Sequence, residues 1–136
     1  MHANEKLLWD WARYWTAHDV DGLISLFAED GIYEDVAVEH SSRGPKQLRR
    51  FFESTLVLFP DLVVELHTAI ANDKMGAGEW TMSGTHLGGS PAQPATGKPF
   101  KSLGSCVMTF VGGRITHHKD YWNLLSFNRQ IGGALF

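Results

Sequence analysis

Only one cysteine, Cys106, occurs in the 136 residues, so the chain forms no internal disulfide and offers no paired-thiol metal spacing. Both facts suit a reducing compartment. No apolar run approaches the ~20 residues that a membrane-spanning helix needs. The opening Met1-His2-Ala3-Asn4-Glu5-Lys6 leads straight into a polar, Trp-rich stretch, without the apolar core and small-residue cleavage site of a secretory signal. Cationic excess is missing too: 12 Lys and Arg against 15 Asp and Glu leave a formal charge of -3, with no basic stripe to hold nucleic acid. Internal repeats and low-complexity tracts are also lacking. These absences point to a cytoplasmic protein whose partner is a hydrophobic small molecule or a second copy of itself, not a membrane or a nucleic acid.

What is present is 43% hydrophobic and 20% charged sequence, the make-up of one soluble globular domain over residues 1–136. A chain of this size buries about two-thirds of the surface it exposes when unfolded. Leu8, Trp11, Ala12 and Trp15 recur at helical spacing, so about Asn4 to Ala17 reads as an amphipathic helix with an aromatic face. Asp19 caps a second helix whose stripe is Val20, Leu23, Ile24 and Phe27, with Gly31 as its stop. Ile32 to Val36 reads as a short strand with Tyr33 and Asp35 on one face. A third helix begins near Pro45 and buries Leu48, Phe51, Phe52 and Thr55 before Phe59-Pro60-Asp61 ends it.

Strands follow over Leu62 to Asn72 and Met75 to Leu87, joined by the turn Asn72-Asp73-Lys74. The stretch Gly88 to Pro99 is a Gly- and Pro-rich loop; too little chain follows it to build a second core. Phe100 to Val111 and Ile115 to Trp122 are the last strands, around Gly112-Gly113. A two-residue loop sets Cys106 opposite Lys119, and a three-residue loop sets it opposite His118. The three-residue loop is preferred because it keeps Lys119 off the enclosed face. The tail from Leu124 forms a helical turn that Gly132-Gly133 breaks. Three helices followed by a strand meander imply an α+β fold, a cone-shaped curved antiparallel sheet wrapped around the three N-terminal helices and open at one end.

The segment Leu26-Phe27-Ala28-Glu29-Asp30, the strand with Glu34-Asp35, and then Arg43-Gly44 before a helix resemble the nuclear transport factor 2-like superfamily. Within it, the chain is similar to the SnoaL-like polyketide cyclases and, more distantly, to ketosteroid isomerases. Phe59-Pro60-Asp61-Leu62, Gly78-Glu79-Trp80, Pro94-Ala95-Thr96-Gly97-Lys98, Gly113-Arg114-Ile115 with Asp120-Tyr121-Trp122, and Arg129-Gln130-Ile131-Gly132 carry the resemblance over nearly the whole chain. It implies a cofactor-independent enzyme, an acid on the final strand for aldol-type ring closure, which is Asp120 with Asn123 as the rival position, and a homodimer packed through the outer sheet face. Asp35 falls where ketosteroid isomerases place their base. That family's oxyanion-hole Tyr falls on Trp11, with Arg13-Tyr14 as a rival alignment, and its protonated Asp falls on Cys106. A thiol is a poor donor, and losing one good oxyanion donor costs about 3–4 kcal/mol, so the steroid isomerase reaction does not carry over.

The strand parities place Trp80, Met82, Gly84 and His86, then Gly104, Cys106 and Met108, then Thr116, His118, Asp120 and Trp122 on the enclosed face, with Tyr33 and Asp35 across from them. Trp11 and Trp15 close the far end. This is a mostly apolar cavity with a few convergent polar groups, which is how small-molecule sites are built. Asp120 or Asp35 is positioned to remove a proton alpha to a carbonyl while His118 or His86 donates to the developing enolate. The binding surface is Trp11, Trp15, Tyr33, Trp80, Met82, Cys106, Met108 and Trp122. No ligand pair among His86, His118 and Asp120 has a recognised metal spacing, and no metal or other cofactor is expected. An isomerase or dehydratase working from the Asp35 and His86 side, or a non-catalytic ligand-binding or dimerisation module, are the alternatives on the same fold.

Overall fold

Leu8, Trp11, Ala12 and Trp15 bury one face of α1 (Ala3–Ala17), and His18 closes the helix in the left-handed conformation. Asp19 then accepts a hydrogen bond from the Gly22 N–H and caps α2 (Val20–Ser25), a contact worth about 1 kcal/mol in comparable helices. Contrary to the sequence reading, Gly31 does not stop this helix: α2 ends at Ser25, and Phe27 already belongs to β1 (Phe27–Asp35). A Cβ at Gly31 would lie 3.0 Å from the carbonyl oxygens of both Ala28 and Ile115, so the glycine serves a close approach of two strands. A short polar strand that no sequence signal marked, β2 (His40–Arg43), folds back on β1. Next comes α3 (Gly44–Leu58), with Pro45 in its first turn and Leu48 and Phe52 buried.

The meander β3 (Val63–Ala71), β4 (Met75–Thr85), β5 (Pro99–Val111) and β6 (Arg114–Trp122) completes a curved six-stranded sheet of order β2-β1-β6-β5-β4-β3. The computed structural model describes residues 1–89 and 94–133; the middle of the Gly- and Pro-rich loop and the last three residues of the tail lie outside them. The α+β cone expected from the sequence is the fold observed. Its one departure from an antiparallel sheet is the parallel pairing of β1 with β6, which places β1 between β2 and β6, second from the sheet edge. Among the described residues, no helix is long and apolar enough to cross a membrane.

The β5–β6 hairpin corrects the register read from sequence. Gly112 and Gly113 have φ of 59° and 75°, the doubly positive geometry of a two-residue type I′ turn. Val111 therefore pairs with Arg114. A bulge then intervenes: Phe110 faces Ile115 but Thr109 faces His117, leaving Thr116 as the extra residue. Its hydroxyl bonds the Thr109 hydroxyl at 2.7 Å. Cys106 consequently lies opposite Asp120, not His118. Thr116, expected on the enclosed face, is displaced from it, and fully buried Ile115 takes that place. Past the bulge His118 and Asp120 face inward; simple alternation from Ile115 would have put Lys119 there instead.

The last helix, α4 (Leu124–Ile131), is capped by the Asn123 side chain and ended by Gly132 at φ 77°. Gln130 docks it by clasping the Lys101 backbone, accepting from the N–H at 2.7 Å and donating to the carbonyl at 2.9 Å. This clasp sets α4 beside β5, at the open end of the cone.

Candidate active site

Strand pairing aligns the inner face in rows. One row runs His40, Asp35, Asp120, Cys106 and Gly78 across β2, β1, β6, β5 and β4. A second runs Ser42, Tyr33, His118, Met108 and Gly76. In a third, Trp122, Gly104 and Trp80 are neighbours, and Trp80 lies flat across the glycine: a Cβ there would meet its ring at 2.5 Å. Above these rows, enclosed by α1, α3 and α4, is a cavity of about 480 Å³.

Trp11, Trp15, Tyr33, Asp35, Trp80, Met82, His86, Asp120 and Trp122, all sequence candidates, line the cavity together. His118, Cys106 and Met108 do not. They are fully buried in the layer behind it, so Cys106 and Met108, expected to meet ligand, serve as packing instead. His118 reaches the cavity only through Asp120.

Asp120 is the polar centre. Its residue is 8% exposed, and both carboxylate oxygens are engaged. The Tyr33 hydroxyl donates to Oδ2 at 2.5 Å, and His118 Nε2 lies 2.6 Å from Oδ1. Since an ionised carboxylate only accepts, the His118 proton is on Nε2. Nδ1 is buried without a hydrogen-bond partner among the described residues. Trp11 Nε1–H donates to the Tyr33 oxygen at 3.2 Å, and the Tyr33 ring stacks on His118 at 4.1 Å, which fixes both rings. Burial first, and then the Asp120 charge, push the Tyr33 phenol well above its usual range and keep it neutral.

Asp35 is the second carboxyl on the cavity wall. It accepts from Trp122 Nε1–H at 2.8 Å. Burial, helped by the neighbouring Asp120 charge, raises its pKa above the ordinary carboxylate range, against the Trp122 indole and the Val38 and Ala37 amides, which lower it. His86 sits at the other side, where Thr96 N–H donates to its Nδ1 at 3.2 Å. The neutral ring therefore carries its proton on Nε2.

Cys106, His118 and Asp120 each bring one potential ligand atom within 4.8 Å of the others. They do not suit a metal ion. The 2.6 Å contact between His118 and Asp120 leaves no space for an ion between those atoms, and burial pushes the Cys106 thiol far above the range where it would ligate as thiolate. His117 meets Glu34 at 3.0 Å on the outer face.

The sequence missed Phe51, Thr55 and Leu58 of α3, Phe127 and Asn128 of α4, and Phe59, Leu62 and Val64 as cavity wall. The quoted motifs held part of that signal. In Phe59-Pro60-Asp61-Leu62, the two apolar residues line the cavity while Asp61 accepts from the Thr85 N–H and hydroxyl at 2.8 and 2.7 Å. In the Ala95-Thr96-Gly97-Lys98 stretch, Thr96 orients His86 and the Lys98 carbonyl accepts the His86 backbone N–H. Gln130 of the terminal motif docks α4.

A cone of this topology with an acid-lined aromatic cavity is a nuclear transport factor 2-like fold of the ketosteroid isomerase-like kind. The family model of the SnoaL-like polyketide cyclases matches residues 6–131, and the chain belongs to that family. A Catenulispora acidiphila protein of ketosteroid isomerase-like fold, solved with trimethylamine, is 25% identical, with 96% of this chain and 95% of that one covered and a TM-score of 0.83. IdmH, a candidate polyketide cyclase from Streptomyces antibioticus, is 19% identical over 96% and 99% of the two chains, with a TM-score of 0.81. A candidate SnoaL-like cyclase from Jannaschia is 14% identical over 97% and 93%, with a TM-score of 0.85. No curated protein matches the sequence.

Proposed function

We propose that the protein is a cofactor-independent cyclase that removes a proton alpha to a carbonyl of a hydrophobic, polyketide-like substrate and closes a ring by an aldol-type step. The observation that carries this reading is Asp120, a carboxylate on the wall of an aromatic cavity, held by the Tyr33 hydroxyl and the His118 imidazole. Those two donors fix the orientation of the carboxylate on the cavity wall, as a general base requires. The apolar wall excludes water from the carbanion that proton removal creates. Family membership supports the reaction class. Incubating the protein in D2O with a panel of polycyclic ketones and β-keto esters tests it: mass spectrometry should find deuterium at an alpha carbon, and Asp120→Asn should abolish the incorporation. Exchange that survives Asp120→Asn would remove Asp120 from the role.

A second reading, a non-catalytic binder, is favoured by the trimethylamine held by the Catenulispora relative. Trp faces beside Asp35 and Asp120 would hold an alkylammonium by cation–π attraction. Tight binding of trimethylamine without exchange of any ketone in the panel would select it. The single buried thiol suits the cytoplasm as its place of work. For its assembly we propose a homodimer through the outer sheet face, where Leu103 is 68% and Tyr121 43% exposed. A monomer in solution scattering would rule the dimer out.

A further inference from the structure

We infer that Asp35 is the general acid that works opposite Asp120, so that the two carboxyls share one proton and exchange it in each turnover. The inference rests on Asp120 being the base. Its geometric warrant is that Asp35 and Asp120 are register partners on adjacent parallel strands, about 4.8 Å apart in backbone spacing, and both face the one cavity. Two carboxyls so placed do not ionise together readily; the one better solvated by donors gives up its proton first. Asp120 has a phenol and an imidazole N–H aimed at its two oxygens. Asp35 accepts from the Trp122 indole on Oδ1 at the longer distance of 2.8 Å and from the Val38 and Ala37 backbone amides, which offset its burial only in part.

Among the described residues, no lysine or arginine lines the cavity beside the two carboxyls. The titratable groups that share the face with Asp35 are Tyr33 on its own strand, His118 and Asp120 on β6, Cys106 on β5, His40 on β2 and His86 beyond the end of β4. His40 is its register partner but stacks on Phe51 at 5.6 Å, with its Nε2 3.2 Å from the Ser42 hydroxyl. From α1, α3 and α4 the cavity receives Trp11, Trp15, Phe51, Thr55, Leu58, Leu124, Phe127 and Asn128, none of them charged. Burial, which pushes the Asp35 carboxyl above the ordinary carboxylate range, agrees with this placement of the proton.

The chemistry then balances. Asp120 takes the alpha proton as that C–H bond breaks. The freed electron pair forms the new C–C bond to the acceptor carbonyl carbon, and the π pair of that C=O moves to oxygen, which takes the Asp35 proton. The turnover ends with Asp120 protonated and Asp35 ionised. Transfer of the proton back between the neighbouring carboxyls restores the starting state, with no oxidant, reductant or metal consumed.

Carbon NMR of protein labelled at the Asp carboxyl carbon tests the inference without a substrate. The Asp35 resonance, identified by its loss in Asp35→Asn, should titrate at higher pH than the ordinary carboxylates in the same spectra. Its midpoint should fall in Asp120→Asn, which removes the competing charge. It should rise in Trp122→Phe, which removes a donor to the ionised form and carries the test if Asp120→Asn does not fold. Titration of Asp35 together with the ordinary carboxylates, or a midpoint indifferent to both changes, overturns the proposal whether or not Asp120 proves to be the base. On a panel ketone that exchanges deuterium, Asp35→Asn should retain the exchange but slow ring closure about 100-fold or more. Unimpaired closure would overturn the acid role while leaving the base assignment intact, whereas exchange that survives Asp120→Asn would remove the base assignment and with it the proton exchange between the two carboxyls.

Discussion

The Tyr33 hydroxyl donates to Asp120 Oδ2 at 2.5 Å while accepting the Trp11 indole N–H at 3.2 Å, so one buried oxygen ties α1 to the acid of β6 through β1. Tyr33→Phe removes both bonds and leaves a buried indole donor and a carboxylate oxygen unpaired. A buried hydrogen bond to a charged group is worth about 1.5–3 kcal/mol, so urea unfolding should show a loss of that order with an unchanged m-value. A loss below about 0.5 kcal/mol would mean that water replaces the phenol.

The same burial governs Tyr33 ionisation. Its folded pKa lies well above the ordinary phenol value, so the native state holds the Tyr33 proton where the unfolded chain has released it. The stability this contributes is complete below pH ~10 and is lost as pH rises through the folded value. In an absorbance titration at 295 nm, the folded chain should fall short of the amplitude seen in denaturant by one of its three tyrosines. Full amplitude without unfolding would contradict the burial.

Asp35 has the opposite cost at neutral pH. With a raised folded pKa, its stabilising contribution is present below about pH 3.9 and is lost as pH rises through the folded value. Asp35→Asn removes the ionisation while keeping an oxygen for the Trp122 N–H. The variant should therefore be more stable than the parent at pH 7, with the gap closing as the pH approaches 4. Stability gained at the expense of the reaction is the pattern expected of a residue retained for chemistry.

Gly104 tests whether the cavity wall is rigid. A methyl group there would sit 2.5–2.8 Å from three atoms of the buried Trp80 ring, which cannot yield as a flexible chain end would. Gly104→Ala should cost about 1–3 kcal/mol in urea unfolding and displace Trp80 into the cavity, weakening ligand binding. A neutral substitution would show that the indole has another resting place.

Legibility in the sequence followed locality. The aromatic spacing of α1, the Asp19 cap and the loop motifs specified their own elements, because each acts within a turn or two of chain. The inward direction of His118 and Asp120 was also readable, since the alternative buried Lys119. The bulge that achieves it was not, because Thr116 is an ordinary strand residue until Thr109 lies across from it. The polar strand β2 is a strand only because β1 pairs with it. Phe127 and Asn128 reach the cavity on a helix docked by the Gln130 clasp on Lys101, a contact 29 residues away in sequence. Nor could spacing reveal that His118 would stand behind Asp120, as that depends on the Tyr33 ring covering it.

The bulge leads to a prediction of unequal deletions in one strand. Removing Thr116 takes out the unpaired residue: Ile115 still faces Phe110, His117 faces Thr109, and His118 and Asp120 keep their inward direction. The shortened chain should fold, losing about 1–3 kcal/mol for the regularised bend and the missing hydroxyl bond, and should retain alpha-deuterium exchange. Removing Lys119 has no bulge to absorb it. Asp120 would turn to the outer face and Tyr121 to the inner, or the strand would slip and bury a charge elsewhere. That deletion should yield no cooperatively folded protein by circular dichroism and urea titration. Equal tolerance of the two deletions would show that strand direction around Asp120 is set by something other than this bulge.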